Sequence, residues 1–407
     1  MKNRGFAALL VSLLLTLPQV AIASDSAVPE PFRGYDANST YSINYSDLDA
    51  LYANAVLVMG RSSREKAAPT QAATGTRMKE KTNRSSAAEA NRFNFEAFQD
   101  NDDDHMLLRT IRDSLASVPG EVGLAYFNRD EQLAYWINLY NITLLTELVE
   151  AYPQRNLKKL LTGPNSIQSR KLLTVAGIPL SLDDIQFTIL RVNYENDPLV
   201  LYGLYQGIIG GPNIRSKAYT GENVFRFLRD NAVEFVNSNR GTLAQNATTF
   251  RASSLYERNQ SYFPDFQSDL RRHLEQYLQG KEKAELATAS TIKANIDDWT
   301  ITDVFGSHQR IAGSMATNSA AMIDAVQNTT VVNIEGSGPT LARATNANYS
   351  TSLAARAQLS NRISPEMQEF VNTVKQQEEK QAASKTGTVT LEEVEDVPAE
   401  LEENDQP

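Results

Sequence analysis

The stretch NRDEQLAYWINLYNITLLTELVEAYP, residues 128–153, constrains the fold of this chain more than any other. It predicts one long helix. Asn128 can cap it, Glu131 stands at the third helical position to answer that cap, and Pro153 marks its end. At about 100° per residue from Asn138, the side chains of Thr143, Thr146, Glu147 and Glu150 fall between roughly 80° and 180° and form a polar side. Asn138 and Asn141 fall at roughly 0° and −60°, on the apolar side with Ala134, Tyr135 and Leu145. An amide buried there costs about 1–3 kcal/mol for each group left unpaired. The two amides therefore either brace neighbouring loop backbone or line a site. Bracing is the commoner arrangement, because most buried amides satisfy backbone.

After this helix the pattern alternates. KLLTVAG and IPLSL read as short extended runs, and SLDDIQFTILR opens a helix with Ser181 as cap and Asp184 in the capping-box position. DPLVLYGLYQGII reads as a β-rich apolar run leading into a glycine loop. TGENVFRFLRDNAVEFVNSN predicts an amphipathic helix capped by Thr220 and stopped near Gly241. TTFRASSLYE suggests a strand, and FQSDLRRHLEQYLQG a helix ending at Gly280. A helix or strand is expected near Trp299, a strand near Val331, and a helix begun by Ser364 and Pro365. The fold class is α+β, a small sheet packed on several helices. No strand leads into a G-x-G-x-x-G helix start and no P-loop lysine motif occurs, so a doubly wound nucleotide fold is not expected.

The flanks differ from this body. MKNRG, the apolar run FAALLVSLLLTL and AIA at 21–23 have the order of a secretory leader, with cleavage after Ala23. The mature protein is then exported, to the periplasm or beyond, with no membrane insertion after cleavage. Losing Lys2 and Arg4 takes the formal charge from −10 to −12, and eight of those negatives lie between Glu392 and Asp405. A tail so acidic and free of aromatics cannot bury enough surface to order itself. Residues 61–90 carry seven Lys or Arg against three Glu and read as a mobile basic loop. The expected organisation is a leader at 1–23, an N-terminal segment at 24–93, a main domain at 94–280, an elaboration at 281–375 and a disordered tail at 376–407.

Chemistry is sparse. Zero cysteines exclude disulfides, thiolate metal sites and a cysteine nucleophile. Of three histidines, His105 follows Asp102, Asp103 and Asp104 but lacks the alternating ligands and central glycine of a calcium loop, so a solvated helix start is expected. His273 reads as a surface residue on an amphipathic helix, and His308 beside Ser307 lacks a third catalytic member. Neither metal nor cofactor is expected. Nucleic-acid binding is not expected either, since the one basic stretch lacks interleaved aromatics.

The glycine loop remains. In YQGIIGGPNIRSKAYTGE, residues 205–222, Gly207, Gly210 and Gly211 let a ligand or another chain come close, as at the rim of an active site. Together AYWINLYN, SLDDIQFTILR and GPNIRSKAYTGE resemble the bacterial family called domain of unknown function 547, over about residues 94–280. The resemblance implies a papain-like or transglutaminase-like body and a cysteine-peptidase or related acyl-transfer ancestry. Members typically carry Asn-Cys-Gly-Ser-x-Ser-Cys-Pro before the Arg-Ser stretch and Glu-His in the helix ending Ile-Leu-Arg. Anchored on IRS, this chain has Tyr205, Gln206, Gly207 and Ile208 at the first four positions and Gly211 at the second cysteine. Anchored on ILR, it has Gln186 and Phe187 at Glu-His. An amide and a phenyl ring can neither attack a carbonyl nor relay a proton.

The expectation is an exported, noncatalytic papain-like protein that binds a peptide or protein partner. Its ligand groove would include Asn138, Asn141, Phe187, Tyr205, Gln206, Gly207, Gly210 and Gly211, floored by helix 134–149 and rimmed by Gly207–Pro212. The alternative is a hydrolase or acyl-transfer enzyme with a non-cysteine nucleophile, with Gln206 or Tyr205 in its site. The two differ on whether a nucleophile–base pair lies near Gly207.

Overall fold

The computed structural model describes residues 27–67, 83–98, 102–304 and 361–385 of the 407. The leader, His308, the strand expected near Val331 and the acidic residues beyond Lys385 lie outside the described residues.

Helix α1 (Ser46–Ala55) leads into β1 (Val56–Leu57), which pairs antiparallel with β2 (Arg92–Phe93). Helices α2 (Asp102–Glu121) and α3 (Arg129–Ala151) pack on each other, and the short α4 (Lys158–Leu161) follows. Strands β3 (Leu173–Val175) and β4 (Ile178–Leu180) form a hairpin whose turn residues, Ala176 and Gly177, both have positive φ. A π-helix over Asp184–Leu190 runs into α5 (Arg191–Asn193), and α6 (Val224–Val236) comes after the glycine loop. Strands β5 (Thr242–Ala244), β6 (Thr249–Ser253) and β7 (Thr291–Ile296) make a sheet, antiparallel between β5 and β6 and parallel between β6 and β7. Helices α7 (Ser254–Arg258), α8 (Phe266–Tyr277) and α9 (Gly280–Thr288) make the crossover, and α10 (Pro365–Lys385) ends the described chain. The fold is α+β.

Helix α3 is the axle. The Asn128 side chain accepts from Glu131 N at 2.9 Å, as the cap predicts, and the helix ends before Tyr152 and Pro153. The answering half of the capping box is absent: the Glu131 carboxylate accepts instead from Ile43 N at 3.0 Å and Gly221 N at 2.7 Å. The polar side is also not a solvent face. Thr143 and Thr146 are buried, their hydroxyls satisfied by Leu139 O at 2.6 Å and Ile142 O at 2.8 Å one turn back. A helix buried on every side from Glu131 to Thr146 belongs inside a larger body, and the polar side reaches solvent only near its end, at Glu147 and Glu150.

Other local readings shift for identifiable reasons. The run DPLVLYGLYQGII is not a strand. Pro198 and the Asp197 cap start a 3₁₀ turn over Pro198–Tyr202, and Asn141 takes up the backbone beyond it. Helix α6 begins at Val224 rather than after Thr220, because Thr220 to Asn223 closes a turn of its own. Helix α8 ends at Tyr277, and Gly280, at φ +58°, opens α9. Asp104 is buried, so the start of α2 is not simply a solvated face. Parts of the stretch read as a mobile basic loop are packed: Arg64 donates to Thr242 O at 2.7 Å, and Glu89 accepts from Asn239 N at 2.9 Å. Arg362, in front of α10, pairs with Asp47 in the interior at 2.6 Å.

His273 is not on the surface either. It lies under the core, with Nε2 2.8 Å from the Tyr202 hydroxyl and its ring stacked on Tyr202. Burial lowers its pKa from 6.5 to about 3, so the folded chain keeps it neutral while the unfolded chain takes up a proton. Its contribution is complete above pH 6.5 and is lost as the pH falls toward 3, by up to about 1.4 kcal/mol per unit. Urea midpoints followed from pH 7 to pH 4 should fall, and the fall should be shallower in His273→Gln. Equal slopes would contradict the buried neutral imidazole.

The two amides of α3 brace backbone. Asn138 donates to Tyr219 O at 2.7 Å and accepts from Tyr219 N at 3.0 Å. Asn141 donates to Gly203 O at 2.9 Å and accepts from Tyr205 N at 2.9 Å. Each substitution by alanine orphans a buried N–H and a buried C=O, so Asn138→Ala and Asn141→Ala should each cost about 2–5 kcal/mol. Asn138→Asp should cost more, since it removes the donor and buries a charge. Denaturant midpoints unchanged from the parent would contradict both clamps.

Candidate functional site

The glycine loop does receive a close neighbour, and that neighbour is the protein's own chain. Thr302 N donates to Gly207 O at 2.9 Å, Ile209 N to Thr300 O at 2.8 Å and Gly210 N to Asp298 O at 2.9 Å. On the other edge of the same segment, Leu157 N donates to Trp299 O and Ile301 N to Arg155 O, both at 2.9 Å. Residues 298–302 thus lie as an inserted strand between the loop and the chain after α3. A Cβ on Gly210 would stand 2.7 Å from the backbone nitrogen of Asp298. Gly207, at φ +71°, would place one 2.2 Å from a Leu148 methyl. Gly207, Gly210 and Gly211 are all buried, so the loop is an internal seat rather than a rim.

A buried ion pair holds the loop from behind. Arg240, 1% exposed, donates through Nε to Gly211 O at 3.2 Å and pairs with Glu234 at 2.5 and 2.9 Å. Asn213 completes the network, donating to Glu234 at 2.7 Å and accepting from Arg240 at 3.0 Å. A buried pair persists when further hydrogen bonds satisfy its remaining donors and acceptors, as happens here.

Beside the inserted segment opens a cavity of about 170 Å³. Its lining comprises Leu161, Gly163, Ser166, Gln168, Asp183, Gln186, Phe187, Gln206, Arg258, Asn259 and Trp299. Phe187 and Gln206 both line this cavity. Asn138, Asn141, Tyr205, Gly207, Gly210 and Gly211 are not in the lining: the amides clamp backbone, and the Tyr205 hydroxyl bonds Thr302 in the interior. Nor does helix 134–149 form the floor. Tyr140 of α3 supports the wall from behind, its hydroxyl 3.1 Å from Gln168 Oε1 and 3.5 Å from Gln186 Oε1.

Local folding positions the wall residues. Ser181 and Asp184 form a reciprocal capping box, with Asp184 N donating to Ser181 Oγ at 3.1 Å and Ser181 N to Asp184 Oδ2 at 2.6 Å. The π-helix that follows puts two consecutive residues, Gln186 and Phe187, on the cavity; such wide turns recur at functional sites. Gln186 donates to Asn259 and accepts from the Tyr262 hydroxyl at 2.7 Å through its carbonyl. Opposite, Arg258 at the end of α7 donates to Gln206 Oε1 at 2.8 Å and to Ser254 Oγ at 2.6 Å. Its guanidinium lies 4.7 Å from the centre of the Trp299 ring, whose Nε1 donates to Asp297 at 3.1 Å.

Burial pulls the Arg258 pKa down to about 10, against the raising influence of Asp297, Tyr140 and Glu257. Asp183 is pushed up, by burial first and by the neighbouring Asp184 second. The Ser166 hydroxyl in the lining lies 3.2 Å from Ser169 Oγ, and no histidine lines the cavity. No group of three or more His, Cys, Asp or Glu suited to a metal ion occurs among the described residues. The arrangement offers carboxamide donors and acceptors, one cation and one carboxyl. These groups can recognise a polar ligand.

Sequence reasoning missed Arg258, Asn259, Trp299, Gln168 and Asp183. Trp299 is one of only two tryptophans in the chain, and Asp183 lies within the SLDDIQFTILR motif, so both had a usable signal; Gln168, Arg258 and Asn259 sit in segments with no motif. The seat itself is testable. Gly210→Ala drives a Cβ into backbone and should cost about 1–3 kcal/mol, with a change in Trp299 emission. Gly211→Ala meets the Gln206 side chain at 3.1 Å, which can shift, and should cost less. Equal thermal midpoints in the two variants would contradict the inserted segment.

Residues 124–236 match the model of the family described as protein of unknown function, DUF547, so this part of the chain carries the domain its motifs suggest. The match spans well under half of the chain. It includes α3, the π-helix, the glycine loop and α6, whereas Arg258, Asn259 and Trp299 lie beyond it. No curated protein and no solved structure matches the chain.

Proposed function

We propose that this protein is exported to the cell envelope and binds a peptide-like ligand in the cavity without catalysing its breakdown, as a papain-related domain that has lost its reagents. The observation that carries this reading is the shared cavity of Phe187 and Gln206, the positions where the family resemblance calls for histidine and cysteine. Thiolate chemistry needs a low-pKa thiol and an adjacent imidazole, and a carboxamide and a phenyl ring replace them. The cavity has kept the polarity that suits an amide ligand. A Gln or Asn side chain carries donor and acceptor side by side, the same pair that a peptide group presents. Gln206 uses its oxygen on Arg258 and leaves its amide NH2 for the ligand. The basic start, short apolar run and AIA of the leader support export.

Trp299 provides the assay. It lines the cavity, while the other tryptophan, Trp136, is fully buried and gives a constant background. Titration of the parent with short synthetic peptides should change its emission, with calorimetry as an independent readout and the peptide recovered intact. Gln206→Ala, which removes one neutral hydrogen-bonding partner, should weaken binding by about three- to tenfold. Absence of heat and of any emission change with every peptide, or cleavage of the peptide, would overturn this function.

A further inference from the structure

Two opposite charges face the cavity, and neither has an ion-pair partner among the described residues. Arg258 uses two of its five N–H donors, on Gln206 and Ser254, and no carboxylate pairs with it. Asp183 stands on the other wall, at the start of the π-helix; its backbone N donates to Gln168 O at 3.0 Å, and among the described residues no hydrogen bond engages its carboxylate. The carboxamides of Gln186 and Asn259 bond to each other and join the two walls. A half-buried guanidinium roofed by an indole is costly unless an anion meets it, and its planar fork suits a carboxylate. A bare dianion such as phosphate fits less well, because Asp183 shares the lining and repels it.

We infer that the cavity takes a small peptide with free ends, its carboxylate on Arg258, its ammonium group toward Asp183 and its amide on the carboxamides. This rests on the peptide-binding reading above. It adds that the ligand's termini, not its side chains, are what the site reads. A dipeptide presents ammonium, amide and carboxylate in one short chain, matching carboxyl, carboxamide and guanidinium across the cavity. Lys158, 5.8 Å from the centre of the Trp299 ring, adds a second cation on the Arg258 side.

The test compares three ligands on the full-length mature protein by calorimetry: Ala-Ala, Ala-Ala-amide and N-acetyl-Ala-Ala. Amidation should weaken binding by at least about tenfold, the size expected for a charge-assisted hydrogen bond, and acetylation should weaken it as well. Arg258→Gln should abolish the preference for the free carboxylate, and Asp183→Asn the preference for the free amine. The ligand comparison on the parent stands even if either variant misfolds. Equal affinities for the three ligands would overturn this inference and leave peptide binding intact. So would failure of all three while a longer peptide still binds. Failure of every peptide would overturn the underlying function too.

Discussion

Two amides on one helix hold the glycine loop at both ends. Asn141 fixes Gly203 and Tyr205, and Asn138 fixes Tyr219, three residues earlier on the same helix face. The chain between them carries Gln206, the three glycines and the approach to α6. Because α3 is buried on every side from Glu131 to Thr146, that loop has a rigid reference, and everything seated on the loop inherits it. Glu131 extends the principle by tying Ile43 and Gly221 to the first turn of the same helix. Its pKa is raised by burial, against the lowering effect of the two backbone donors that hold it.

On that loop sits a strand from outside the family match. Residues 298–302 follow β7 and bond the glycine loop on one edge and residues 155–157 on the other. The region beyond residue 280 is thus not merely an appendage: Trp299 is a wall of the cavity, and β7 completes the sheet of β5 and β6. Loop glycines that suggest a ligand's approach path serve instead to admit backbone. The cavity lies to one side, where Gln206 turns out of the loop toward Arg258.

The sequence was informative wherever local chemistry decides the outcome. The α3 cap, the Ser181–Asp184 box, the β3–β4 hairpin and the Ser364 start of α10 all follow from residues within a few positions of one another. It was uninformative where a distant partner overrides local preference. Residues 198–205 have strand-like composition, yet their backbone partners are a 3₁₀ turn and a side chain of α3. His273 carries arginines beside it in sequence but faces Tyr202 and Tyr256 from α8. In the cavity, Phe187 and Gln206 come from the quoted motifs, whereas Arg258 and Trp299 lie about fifty and ninety residues beyond Gln206, and no motif surrounds them.

Gln206 and Arg258 are best understood together, because the carboxamide at 206 sets where the cation lies. Its oxygen accepts from Arg258 at 2.8 Å and steers the guanidinium over Trp299, at the edge of the cavity. A thiol is a weak acceptor and would hold that cation poorly, and a thiolate beside it would compete with any anionic ligand. Likewise Phe187 packs toward Tyr262, at 6.4 Å between ring centres, and leaves the carboxamide of Gln186 to bridge to Asn259. Gln206, Arg258, Gln186 and Asn259 thus give the cavity a charged, amide-lined wall, with Tyr140 of α3 bracing it from behind.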